Sequence, residues 1–148
     1  MAAAVNERIF VDTNVFVYAE DEDEPAKRAV ARRLIQQLAA EERAVVSTQV
    51  LSEYVAAARR KLGLSLAACR EAVLLMCQLH VVSIRPEHVL GAIDLASLHS
   101  LSLWDALIVR AASASGCARL LSEDLSHGQV IDGVRIENPF GGRRLEQS

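Results

Sequence analysis

Short apolar runs alternate along the chain with longer stretches whose apolar positions recur every three to four residues. Arg8–Val11, Arg43–Ser47, Val81–Ile84, Ala118–Ser122 and Val134–Phe140 read as strands. The spacing predicts helices over Ala26–Ala40, Thr48–Leu62, Ser65–His80, Glu87–His99 and Leu103–Ser115. Pro25 suits the first turn of the first helix, Thr48 is placed to cap the second, and Gly63 and Gly116 end helices. The acids of "DEDEP" (21–25) favour a helix N-terminus through its dipole, and that structural role is the preferred reading of the run. Strands alternating with helices imply a parallel sheet covered on both faces, a three-layer α/β/α arrangement. Residues 1–140 read as a single domain, and "GGRRLEQS" (141–148) reads as a loose tail.

Composition narrows the class. The 148 residues are 51% hydrophobic and 24% charged, which fits one globular domain with a real core rather than a disordered or membrane-embedded chain. Aromatic residues are only 4%, so alanine- and leucine-rich helices must supply much of the packing. A net charge of −3 gives no overall attraction to nucleic acid, so any basic contact has to be local. Cys69, Cys77 and Cys117 lie on apolar helical patterns without CxxC spacing and read as buried, reduced thiols. The opening "MAAAVNERIFVDTN" lacks the apolar core of a signal peptide, and no run is long enough to span a bilayer. A cytoplasmic protein with no membrane association is the expectation.

The chemistry lies in four acids. The apolar run Ile9–Val11 stops at Asp12-Thr13-Asn14, and the chain turns apolar again at Val15–Val17. Asp12 follows the first strand directly, and Asp124 follows the strand Ala118–Ser122. In parallel sheets, ligands gather outside the carboxyl ends of the strands. Glu53 lies in the second turn of the helix after the second strand, and Asp105 in the first turn of the helix from Leu103. Each acid has a plain structural explanation. Asp12 can make an Asx-turn, Glu53 can face solvent, Ser102 and Asp105 resemble a capping box, and Asp124 can cap the turn "DLSHG". Glu53 and Asp105 nevertheless border apolar neighbours rather than an open charged face. Four carboxylates gathered in a partly buried cleft repel and resist ionisation unless a cation is present. Hard oxygen ligands suit Mg²⁺ or Mn²⁺, and a pair of such ions can drive hydrolysis of a phosphodiester.

"FVDTNVFVY", "LSEY", "LWDALIV" and "LLSEDLSHG" resemble, in order, the motif segments of PIN-domain ribonucleases, and most of all the VapC-type toxins of bacterial toxin–antitoxin pairs. The resemblance runs from Arg8 to about Phe140. It implies a PIN-like α/β/α fold and a Mg²⁺- or Mn²⁺-dependent endoribonuclease that cleaves single-stranded or structured RNA to leave a 5′-phosphate and a 3′-hydroxyl. Asp12, Glu53, Asp105 and Asp124 fall on the family's acidic quartet of metal ligands. Asn14 falls on the polar position two residues after the first acid, where a hydrogen bond orients Asp12. Thr13 and Ser122 are weaker supporting candidates. In "SED" the fourth acid is Glu123 or Asp124, and the motif favours Asp124. The resemblance also implies a cognate antitoxin.

Contacts with RNA need local positive charge. Arg59-Arg60-Lys61 at a helix end is one source, although serving the helix dipole is its preferred role. His127 lies close enough after Asp124 to touch substrate, and Arg85, Arg110 and Arg119 are further options. His80, His88 and His99 have no ligand spacing, and Trp104 reads as core. The helices over 48–80 offer an apolar face for a homodimer. Two other functions fit less well: a PIN-like RNA-binding module without catalysis, and a phosphohydrolase with an aspartyl nucleophile. The second wants an acid two residues after Asp12, where this chain has Asn14.

Overall fold

The computed structural model describes residues 7–141. Strands β1 (Ile9–Val11), β2 (Ala44–Ser47), β3 (His80–Val82), β4 (Arg119–Leu121), β5 (Val130–Ile131) and β6 (Val134–Glu137) form one sheet in the order β3-β2-β1-β4-β6-β5. All pairings are parallel except β5 with β6. The helices are α1 (Thr13–Tyr18), α2 (Pro25–Ala40), α3 (Thr48–Ala57), α4 (Leu66–Met76), α5 (Pro86–His99) and α6 (Leu103–Ala114). Helix α1 packs against both α2 and α3, and α3 against α4, with α2 and α3 against β2; α5 packs on α6, which lies against β2, β4 and β6. Layers of helix on both faces explain why central strands read as unbroken apolar runs. Phe10, Val45, Val46, Leu120 and Ile136 are fully buried or nearly so.

The parallel sheet, its helices and their order match the expected architecture, and the differences have local causes. Helix α1 stands where the sequence suggested a turn. Asp12 is its N-cap, accepting the Thr13 N–H at 2.7 Å, and Val15, Phe16 and Val17 are buried. Ser47, not Thr48, caps α3 by accepting from the Val50 N–H; the Thr48 hydroxyl instead accepts from the Ile84 N–H. Helix α3 runs on into a π-helical turn, Ala58–Leu62, that carries Arg59-Arg60-Lys61 and ends at Gly63 with φ 65°. Helix α4 stops at Met76, and His80 already belongs to β3. Strand β5 was not expected. It forms a hairpin with β6 through Asp132 and Gly133, both at positive φ, as a two-residue Asp-Gly turn requires.

Cys69 and Cys117 are buried free thiols as expected, but Cys77 is exposed because the helix ends just before it. Among the described residues no single helix is long and apolar enough to cross a membrane. Residues 1–6 and 142–148, which include nearly all of the expected tail, lie outside the described residues.

Candidate active site

The register of β1 with β4 builds the first half of the site. Val11 pairs with Leu121, and the Asp12 N–H donates to the Leu121 carbonyl, so Asp12 and Ser122 emerge side by side at the carboxyl edge. The Ser122 hydroxyl donates to Asp12 Oδ2 at 2.7 Å and accepts the Asp124 N–H at 3.1 Å. Asn14, in the first turn of α1, donates from Nδ2 to Asp124 Oδ2 at 3.1 Å and accepts the Glu123 N–H on Oδ1. Asn14 therefore orients Asp124 directly and reaches Asp12 only through Ser122, a different role from the one the motif suggested.

The second half comes from helices. Strand β2 lies beside β1 and leads without a loop into α3, which brings Glu53 to the same edge. The Thr13 hydroxyl donates to Glu53 Oε1 at 3.1 Å, and Gln49, one turn earlier, donates from Nε2 to Glu53 Oε2 at 2.9 Å. The same Gln49 nitrogen donates to the Trp104 carbonyl at 3.1 Å, tying α3 to the first turn of α6. Asp105 is the next residue there, its N–H held by the Ser102 hydroxyl.

Burial and mutual charge act on two of these acids. Asp12 is 4% exposed, and its carboxyl is pushed up to about 7, chiefly by burial. The Ser122 and Thr13 hydrogen bonds oppose that rise, while the charges of Asp124 and Glu53 add to it. Asp105, half-buried, is also raised, first by burial and then by the charge of Asp124, with Glu53 contributing. Asp12 and Asp105 thus both lie within the charge field of Asp124 and Glu53.

Glu123 belongs elsewhere. It forms an ion pair with Lys27 at 2.6 Å and accepts the Tyr18 hydroxyl at 2.6 Å. Burial works against its charge, yet these bonds and the charges of Lys27 and Lys61 hold its carboxyl below the ordinary range. Asp124, not Glu123, faces the other acids. Lys27 also lies over the rings of Tyr18 and Phe140. Neither this cluster nor Gln49 was picked out from sequence, although the four-residue spacing of Gln49 from Glu53 on one helix face was a readable signal.

The basic candidates are dispersed. Arg59, Arg60 and Lys61 are exposed on the π-helical turn, and only the charge of Lys61 reaches the Glu123 cluster. Arg110 is paired with Asp132 and packs over Gly91, where a Cβ would come within 2.9 Å of its Cδ. Arg119 is paired with Glu7 and Glu137. His127 accepts the Asn138 N–H on Nδ1 and lines a groove of about 790 Å³ between α2 and the strands β4 and β6, not the carboxylate cleft. Trp104 corrects the sequence reading most clearly: it is 62% exposed rather than core.

The donor set fits a hard divalent cation. Its ligating atoms are all carboxylate oxygens, and buried Asp12 resists ionisation until a positive charge is supplied. Among the described residues no three such groups already converge on one point.

A family model described as the PIN domain matches residues 9–130. No curated protein matches. VapC20 of Mycobacterium tuberculosis, described as a sarcin-ricin loop cleaving toxin, is a structural neighbour with TM-score 0.64 and 21% identity, covering 78% of this chain and 89% of its own. A toxin–antitoxin complex from Klebsiella pneumoniae has TM-score 0.66 and 16% identity, covering 90% and 98%. VapBC2 from Rickettsia felis, solved with a DNA fragment from its promoter, has TM-score 0.65 and 16% identity, covering 88% and 97%. At these identities the likenesses establish the fold.

Proposed function

Since the chain belongs to the PIN-domain family, we propose that its carboxylate cleft is the active centre of a Mg²⁺- or Mn²⁺-dependent endoribonuclease, the toxin of a toxin–antitoxin pair. The observation that carries this reading is the hydrogen-bonded frame running from Asp124 through Asn14 and Ser122 to Asp12, and from Thr13 to Glu53. That frame gathers acids more than 100 residues apart in sequence at one sheet edge. Asp12, Glu53, Asp105 and Asp124 would hold the metal. A divalent ion bound there supplies Lewis-acid stabilisation of a phosphodiester and a water of lowered pKa. The Ser122 hydroxyl and the Thr13 N–H hold the two oxygens of Asp12, the Thr13 hydroxyl holds Glu53, and Asn14 holds Asp124. RNA is the substrate class, single-stranded or structured.

An aspartyl-nucleophile hydrolase finds no support. Asn14 occupies the position of the second acid, and Lys27 is committed to Glu123. The cognate antitoxin is proposed as partner, in line with structural neighbours that are toxin–antitoxin complexes. For a homodimer, the exposed side chains Leu66, Leu74 and Leu75 lie on α4 within the expected region, and a further apolar set, Val89, Leu90 and Ile93, lies on α5.

The test is cleavage of a generic single-stranded RNA by the purified chain with Mg²⁺, Mn²⁺ or EDTA. Metal-dependent cleavage with 5′-phosphate ends, abolished in Asp12→Asn, is the expected result. Cleavage that persists in EDTA and in Asp12→Asn would overturn the proposal.

A further inference from the structure

Gln49 sits in the first turn of α3 and makes no contribution to the core. Its side chain nevertheless joins two elements that carry acids. Nε2 donates to Glu53 Oε2 at 2.9 Å and to the Trp104 carbonyl at 3.1 Å. Both partners are pure acceptors, so the amide has only one acceptable orientation; a flip would set its oxygen against two oxygens. That orientation leaves Oε1 buried and without a donor. A buried carbonyl oxygen without a donor is destabilising. Thr13 already holds the other oxygen of Glu53, at 3.1 Å. With Gln49 in place, both oxygens of Glu53 are oriented, and the residue preceding Asp105 is tied to the same nitrogen.

We infer that Gln49 is a positioning residue of the metal centre: its amide nitrogen sets Glu53 and the Asp105 end of α6 relative to each other. The inference rests on the metal-centre reading proposed above. It explains how two acids on separate helices, with no hydrogen bond between them, keep a fixed relation.

The test measures Mn²⁺ binding by the full chain, with free Mn²⁺ read by electron paramagnetic resonance, alongside thermal unfolding in EDTA. Gln49→Met keeps the length of the side chain and removes both polar atoms. It should weaken Mn²⁺ affinity about tenfold or more, the scale for groups that orient metal ligands, without lowering the melting temperature in EDTA. A loss clearly smaller than that overturns the inference, as does a loss matched by a lower melting temperature. Asp12→Asn separates the two levels. If it too retains Mn²⁺ affinity, the metal-centre reading itself falls; if it loses affinity while Gln49→Met does not, only the role of Gln49 falls. A measurement on the wild-type chain needs no variant: substoichiometric Mn²⁺ should broaden the side-chain NH₂ resonances of Gln49 before those of Gln36 and Gln37 on α2. Unbroadened Gln49 resonances overturn the inference.

Discussion

Asp12 and Asp124 stand on the flank of the cleft made by strands β1 and β4, whereas Glu53 and Asp105 stand on the flank made by helices α3 and α6. On the strand flank the backbone register does the placing. Asp12 follows directly from a paired strand, both its oxygens accept hydrogen bonds, and the serine beside it is fully buried. On the helix flank the backbone brings Glu53 and Asp105 only to the neighbourhood, and long side chains complete the arrangement. On the strand flank Asp12 and Ser122 are buried, so they are coupled to stability as well as to chemistry, whereas Asp124 beside them is exposed. The helix flank is half-exposed, so its groups are coupled to chemistry alone.

The largest expected effect tests that division at its centre. Asp12→Asn keeps the shape and most of the hydrogen bonds but removes the charge, and RNA cleavage should fall at least about a thousandfold. Asp105→Asn and Glu53→Gln should each cost about a hundredfold, with melting temperatures in EDTA unchanged. If either helix-flank variant unfolds the protein, the division is wrong. Ser122→Ala should be intermediate. It strips a donor from Asp12 and an acceptor from the Asp124 N–H, so activity should drop about 10- to 100-fold and stability by about 1–2 kcal/mol. Chemical denaturation and initial rates check both.

The same division explains what was legible in the sequence. The strand flank could be read because a parallel sheet puts strand ends at one edge, and Asp12 and the "SED" segment each follow a strand directly. Glu53 and Asp105 were legible through helical spacing. The rest depended on side-chain directions, which sequence patterns do not carry. "SED" leaves open which acid faces in, and the choice is made by Lys27 and Tyr18, which draw Glu123 away. Asn14 reaches Asp124 because α1 begins immediately after Asp12, an element too short for periodicity to reveal. Trp104 reads as core by composition, yet it projects outward while Asp105 and the residues after it turn inward. The Asp-Gly hairpin of β5 had a readable turn signal, but a two-residue strand is too short to show alternation.

Burial on the strand flank also makes a pH prediction for the metal-free chain. The carboxyl of Asp12 rises from 3.8 to about 7 on folding, so the folded state holds this proton more tightly than the unfolded state. Its contribution to stability is fully present below pH 3.8 and declines as pH rises to about 7. In EDTA, Asp12→Asn should therefore melt above wild type at pH 8, and the gap should shrink steadily toward pH 4. Burial sets the scale at no more than a few kcal/mol. Adding Mn²⁺ should raise the wild-type melting temperature at pH 8 and leave that of the variant unchanged. A gap that widens on acidification would reverse the sign and remove buried Asp12 as the strained member of the site.

The smallest effect is expected just outside the cleft, at Glu123. It neighbours Asp124 in sequence but is held by Lys27 and the Tyr18 hydroxyl. The side chains of Lys27 and Glu123 are 32% and 26% exposed, so solvent screens the pair and its worth is under about 1 kcal/mol. Glu123→Gln keeps an oxygen for Tyr18 and loses only the charge. Its melting temperature should move little, and less still at high salt, and cleavage should change no more than a few-fold. Asp124→Asn, one residue on, should lose about a hundredfold in activity, because that carboxylate and not its neighbour shares the field of Asp12 and Asp105. Equal losses in the two variants would mean that the loop after β4 acts as a unit. A larger loss in Glu123→Gln would move the fourth acid of the site from Asp124 to Glu123.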